Sequence, residues 1–194
     1  DNGVLYNASD SLGVAWSGLV SVAESPSGGD PRPYYIDGVK YANIASAEEF
    51  EATIVALGSP AEFDICDGVV AINNGLLATQ QPRKPFGLSY RTRIGNDVEG
   101  LDFGYKIHLV YNALAAPSQR KNETVGDSAD PSTFTWEITT LPPAITGYRP
   151  TAHFIIGSRH TPELVMTELT DILYGTDLTQ ARLPDTEELL EIFS

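Results

Sequence analysis

Few side chains in this sequence stand where chemistry would need them. Glu48-Glu49-Phe50-Glu51 could supply paired carboxylates for acid–base work, but a solvated or cation-facing strand surface is the default reading. Cys66 is the single cysteine. As a nucleophile it would need a histidine partner and an activating setting; no such motif surrounds it, and it reads as a buried thiol. Gly87-Leu88-Ser89-Tyr90-Arg91 starts like a nucleophile elbow, yet it lacks the second glycine and runs on as a strand. Asp64-Ile65-Cys66-Asp67-Gly68 has part of the form of a calcium loop, without its spaced acids and closing glutamate. Of the three histidines, His108, His153 and His160, the last two lie seven apart with no cysteine or carboxylate at metal-ligand spacing. The expectation is a chain with no catalytic residues, no cofactor and no bound metal.

The composition fits one folded domain with extensions. The chain has 194 residues, 42% of them hydrophobic, with nine Tyr and seven Phe. Seventeen Gly and 13 Pro suit many short strands joined by turns. The formal charge of −14 is unevenly placed. Residues 1–79 carry 11 acids and 2 bases, and residues 160–194 carry 8 acids and 1 base, whereas residues 80–120 carry 3 acids and 6 bases. So acidic a chain is not expected to grip nucleic acid, because phosphate binding rests on Lys and Arg displacing counterions. A lone cysteine rules out an internal disulfide. No run of 18 apolar residues is present, and no charged region leads into an apolar one, so neither a membrane span nor a signal peptide is expected.

Periodicity predicts mostly strands. Residues 1–13 are polar and read as an extended arm. Val14–Glu24 alternates as one strand, and Ser25–Pro33 is a loop. Tyr34–Tyr41 is a tight hairpin, since Asp37-Gly38 supplies the two positive-φ positions of a type I′ turn. Ala47–Leu57 alternates as a strand with Phe50, Ala52 and Ile54 inward, so Glu49 and Glu51 share the opposite face. Pro60–Asp67 reads as a helical turn, Val69–Ile72 and Leu76–Thr79 as short strands, and Pro117–Pro131 as a mobile loop. Phe134–Thr140 and Ala152–Ile156 follow as strands. Thr161 is placed as N-cap of a helix that Gly175 ends. In the tail, Leu189, Leu190, Ile192 and Phe193 form the apolar side of a second helix too short to stand alone, and are expected to dock on a neighbouring subunit.

The longest pattern runs from Arg83 to Ala116. Phe86, Leu88, Tyr90, Thr92 and Ile94 alternate with Gly87, Ser89, Arg91 and Arg93; Tyr105, Ile107, Leu109 and Tyr111 alternate with Lys106, His108 and Val110. This predicts a long antiparallel hairpin with one buried face and one basic face carrying Arg91, Arg93 and Lys106. In a chain this acidic, such a face is expected to match an acidic patch on another copy of itself. The fold expected is mainly β, an antiparallel β-sandwich or barrel over residues 14–175 with one flanking α-helix. An N-terminal arm (1–13) and a C-terminal extension (176–194) complete it.

Taken in order, several segments resemble the major tail tube protein of long-tailed, non-contractile bacteriophages, especially those of actinobacteria. They are Glu24-Ser25-Pro26-Ser27-Gly28-Gly29, Tyr34–Tyr41, Ala47–Ile54, the Arg83–Ala116 hairpin, Phe134-Thr135-Trp136-Glu137, and Asp171-Ile172-Leu173-Tyr174-Gly175-Thr176-Asp177. The resemblance implies a virion structural protein with a β-sandwich fold, assembled in the host cytoplasm and located in the virion tail. It implies stacked hexameric rings around a lumen that conducts genomic DNA without binding it specifically. Tape-measure protein and tail terminator are the implied assembly partners. Glu49 and Glu51 are then expected in the lumen wall or in a contact between subunits with Arg91 and Arg93. Two other readings stay open: a tube subunit of a bacterial contractile injection or secretion system, and a carbohydrate-binding β-sandwich on a virion surface.

Overall fold

A computed structural model describes residues 1–7, 12–119 and 132–194. Most of the Pro117–Pro131 loop lies outside the described residues. In chain order the strands are β1 (Val4–Asn7), β2 (Gly13–Ala15), β3 (Leu19–Glu24), β4 (Ser27–Gly28), β5 (Pro31–Ile36), β6 (Val39–Ala45) and β7 (Glu48–Glu49). They continue with β8 (Glu51–Ala56), β9 (Val70–Asn73), β10 (Leu76–Ala78), β11 (Phe86–Asn96), β12 (Gly100–Ala115), β13 (Phe134–Thr140) and β14 (His153–Gly157). Two helices, α1 (Glu163–Tyr174) and α2 (Thr186–Ile192), and a 3-10 turn at Ala61–Phe63 complete the elements among the described residues. The fold is mainly β and antiparallel.

Seven strands of one sheet run in the order β2-β1-β11-β12-β13-β8-β3, with β14 as an eighth paired to β12 off this path, and the sheet does not close into a barrel. β12 is long enough to hold two strands along one edge: β14 pairs with Lys106–Val110 and β13 with Ala113–Ala115. Inside the curl of the sheet lies one core, with Leu5, Trp16, Ile54, Phe63, Leu88 and Trp136 at its centre. The other face of β1, β11 and β12 carries Tyr6, Ile107 and Leu109, which α1 covers with Met166, Leu169 and Leu173.

This second cover corrects the expected hairpin. β11 and β12 pair as predicted, but Phe86 to Tyr90 are buried without interruption, because core lies on one face and α1 on the other. The N-terminal arm is also corrected. Val4, Leu5 and Tyr6 are buried in β1, which pairs with β11 from Val4↔Ser89 to Asn7↔Phe86. Three consecutive apolar residues suit a strand covered on both sides, and their polar flanks concealed this in the sequence. Val14–Glu24 is two strands rather than one. The chain turns at Gly18 (φ 94°), and the Trp16 indole N–H donates to the Gly58 carbonyl at 2.8 Å.

At the start of α1, Pro162 holds the N-cap position, and Thr161 instead donates its hydroxyl to the Gly157 carbonyl at 3.0 Å. Gly175 (φ 76°) ends the helix as expected. The C-terminal extension folds back on its own chain. Arg182 N–H donates to the Ile172 carbonyl, Tyr111 donates its hydroxyl to the Pro184 carbonyl, and Asp185 caps α2 through the amides of Glu187 and Glu188.

Candidate functional site

Beyond the edge of the eight-stranded sheet, β3 and β8 continue as a long ribbon. The ladder runs from Glu24↔Ala52 through Ser27↔Glu49 and Gly28↔Glu48 to Pro31↔Ala45, and closes at Ile36↔Val39. Asp37 (φ 50°) and Gly38 (φ 76°) form its tip, as a type I′ turn requires. About a dozen residues per strand at roughly 3.3 Å each give an arm of about 40 Å if straight. Pairing places Tyr34, Ile36, Val39, Ala42 and Ile44 on one face of it, with a bulge at Tyr41. Tyr34, Tyr35, Ile36, Val39, Tyr41 and Ile44 are between 54% and 76% exposed, so the subunit itself leaves this surface uncovered. The β9–β10 hairpin repeats the theme, with Val70, Ile72, Leu76 and Leu77 exposed. So does the β11–β12 tip, with Val98 and Leu101.

The residues singled out from the sequence are dispersed about this frame. Arg91 pairs with Ile107 and Arg93 with Tyr105, whereas Lys106 pairs with Thr92. Directly opposed residues share a face, so Lys106 stands on the opposite side of the sheet from the two arginines. The single basic face expected is therefore two, because the register was not legible in either strand alone. Within the subunit both guanidinium groups hold Asp1: Arg91 Nε lies 2.6 Å from Oδ1 and Arg93 Nε 3.1 Å from Oδ2. Glu49 is exposed at the base of the ribbon. Glu51, half-buried at the start of β8, accepts the Ser27 hydroxyl at 2.7 Å.

The tail residues divide. Leu189 is buried in the subunit's own second core, which corrects its assignment to an inter-subunit contact; Leu190 and Ile192 are half-buried and Phe193 is 42% exposed. The helix found an intramolecular surface because β1, once in the sheet, extends the face on which it lies. Cys66 is fully buried, and burial pushes its thiol up to about 11, so at neutral pH it stays protonated.

A polar cluster that no sequence motif marks lies at the root of the ribbon. Glu24 ends β3, His108 lies within β12 and His153 opens β14. His108 Nδ1 and His153 Nε2 are 3.1 Å apart, and Glu24 Oε1 lies 3.3 Å from the first and 4.0 Å from the second. The Tyr90 hydroxyl donates to Glu24 Oε1 at 2.8 Å, and Thr92 Oγ1 meets His108 Nε2 at 3.0 Å. The Tyr90 ring stacks on His108 and Phe50 packs on His153. Burial lowers the basicity of both imidazoles, more than the Glu24 carboxylate raises it. The two histidines are 45 residues apart, so no short-range spacing announced them. Only the register of β11 against β12, which opposes Tyr90 and His108, brings them to one face.

Comparison with models of known protein families and with curated proteins gives no match to this chain.

Proposed function

We propose that this chain is the repeating subunit of a phage tail tube of the long-tailed, non-contractile type. Six copies form a ring, rings stack into a tube, and the lumen passes genomic DNA. Tape-measure protein and terminator are its assembly partners, and the virion tail is its location. The proposal joins the segment resemblance to one structural observation, the exposed apolar ribbon of β5 and β6. An isolated two-stranded ribbon is marginal in water, and an apolar face of this size on a soluble subunit marks an interface. A second copy is the natural occupant. The same chain offers further exposed apolar hairpins at β9–β10 and β11–β12, and the sheet ends in β3, whose outer edge meets no strand among the described residues and suits pairing between subunits, while the other end, β2, is met by Ala181.

Negative-stain microscopy and light scattering of concentrated protein test this directly. Rings or tubes are expected. The double variant Ile36→Lys with Val39→Lys should keep the circular dichroism of the subunit and remain monomeric. A strictly monomeric wild-type protein that is also missing from virion tails would overturn the reading. One observation favours a second reading: Tyr34, Tyr35 and Tyr41 place three exposed aromatic rings on one hairpin, as a carbohydrate-binding surface would. Glycan-array binding by the monomer, lost on Tyr35→Ala, would decide for it.

A further inference from the structure

We propose that Glu24, His108 and His153 form a zinc site that pins the root of the ribbon to the middle of the sheet. The geometry carries this. Zinc bonds imidazole nitrogen and carboxylate oxygen at about 2.0–2.2 Å, so two ligand atoms on one tetrahedral edge stand about 3.3 Å apart. The three edges here are 3.1, 3.3 and 4.0 Å. The first two match that edge, and the Glu24–His153 edge is about 0.7 Å longer, so turning the Glu24 carboxylate toward His153 would complete one face of a ligand tetrahedron, with the fourth position left for water.

The protons support the same conclusion. A proton on His108 Nδ1 can go to Glu24 Oε1 or be shared with His153 Nε2, whereas a cation would bond all three atoms. When Thr92 Oγ1 accepts the His108 Nε2 proton, Nδ1 is left as a lone pair aimed at a carboxylate 3.3 Å away. A divalent cation relieves all three contacts at once, and its +2 charge offsets the −1 of Glu24. The donor set of two imidazoles and one carboxylate suits zinc better than magnesium or calcium, which take oxygen ligands.

The ligands are also held in advance. Tyr90 supports the carboxylate, Thr92 Oγ1 can accept the Nε2 proton of a His108 that ligates through Nδ1, and ring packing against both imidazoles limits their rotation. Lys106, on the same face, is solvent-exposed, where screening limits its repulsion of a cation. Three strands distant in sequence would be joined by one ion, at the point where the ribbon leaves the sheet. The role assigned is therefore structural.

The test uses the full chain, stripped with a chelator and titrated with zinc chloride, with cobalt chloride as a spectroscopic probe and magnesium chloride as control. One zinc per chain is expected, with the visible bands of tetrahedral cobalt, no competition by magnesium, and a thermal midpoint that rises with zinc. Zinc affinity should fall at least about 100-fold in His108→Gln with His153→Gln and in Glu24→Gln. If the histidine variant does not fold, Glu24→Gln carries the test alone, since that side chain is 37% exposed and glutamine keeps an acceptor for Tyr90. Folded wild-type protein that binds no zinc, or zinc binding unchanged by Glu24→Gln, overturns the proposal.

Discussion

Tyr6 illustrates how one residue ties distant segments together. Its hydroxyl donates to the Leu173 carbonyl at 2.8 Å and lies 3.1 Å from Ser89 Oγ, joining β1, β11 and the end of α1 in a buried setting. Tyr6→Phe leaves both partners in the core with less to bond, and should cost about 1–3 kcal/mol in urea denaturation. An unchanged midpoint would mean that water replaces the hydroxyl. Tyr6 and Tyr111 also predict an alkaline limit. Burial raises both well above the ordinary tyrosine value of 10.0. Their stabilising contribution is present below pH 10 and is lost as pH rises further, because only the unfolded chain then releases those protons. Tyrosinate absorbance should therefore appear in two phases, the second coinciding with loss of circular dichroism. A single phase without unfolding would contradict this.

At the scale of elements, the ribbon and the tail helix have opposite dependences. The ribbon root turns at Gly28 (φ 78°), where an added Cβ would lie 2.6 Å from the Ala47 carbonyl oxygen. Gly28→Ala must therefore shift backbone, and should disorder the arm while sparing the sheet. Faster amide exchange in β5 and β6, an unchanged global melting midpoint and loss of tube formation are the expected set. Loss of the whole fold instead would mean that the arm supports the core. α2 behaves otherwise. Leu189 is 3% exposed against the core beneath α1, so Leu189→Ala should destabilise the isolated subunit by about 2–5 kcal/mol. A variant as stable as wild type, but unable to assemble, would return this residue to a contact between copies.

At the scale of the molecule, a −14 subunit placed in a ring repels its neighbours, so assembly should be promoted as ionic strength rises toward about 0.15 M. Critical concentrations measured by sedimentation at several salt levels would check this, and a tube that forms best at low salt would contradict it. Glu49→Lys with Glu51→Lys separates two positions for the ribbon root. In a lumen wall the variant assembles but slows DNA ejection in a salt-dependent way. In a subunit interface it fails to assemble until Arg91 and Arg93 are reversed as well. Normal assembly with normal ejection would place both glutamates on a solvated outer surface.

By itself, the sequence determined what depends on neighbours along the chain. The Asp37-Gly38 turn, the alternation of β8 and β13, the β11–β12 hairpin and the Gly175 helix stop all follow from backbone sterics and local pattern. Tertiary structure decided what depends on which strands lie side by side. Register placed Lys106 across the sheet from Arg91 and Arg93, and α1 buried the second face of β11. The covering of both faces turned Val4–Tyr6 from an arm into a core strand. Glu24, His108 and His153 met only because β3, β12 and β14 converge at the ribbon root. A strand records in its own residues which side chains alternate, but the strand or helix opposite decides what each alternate face touches.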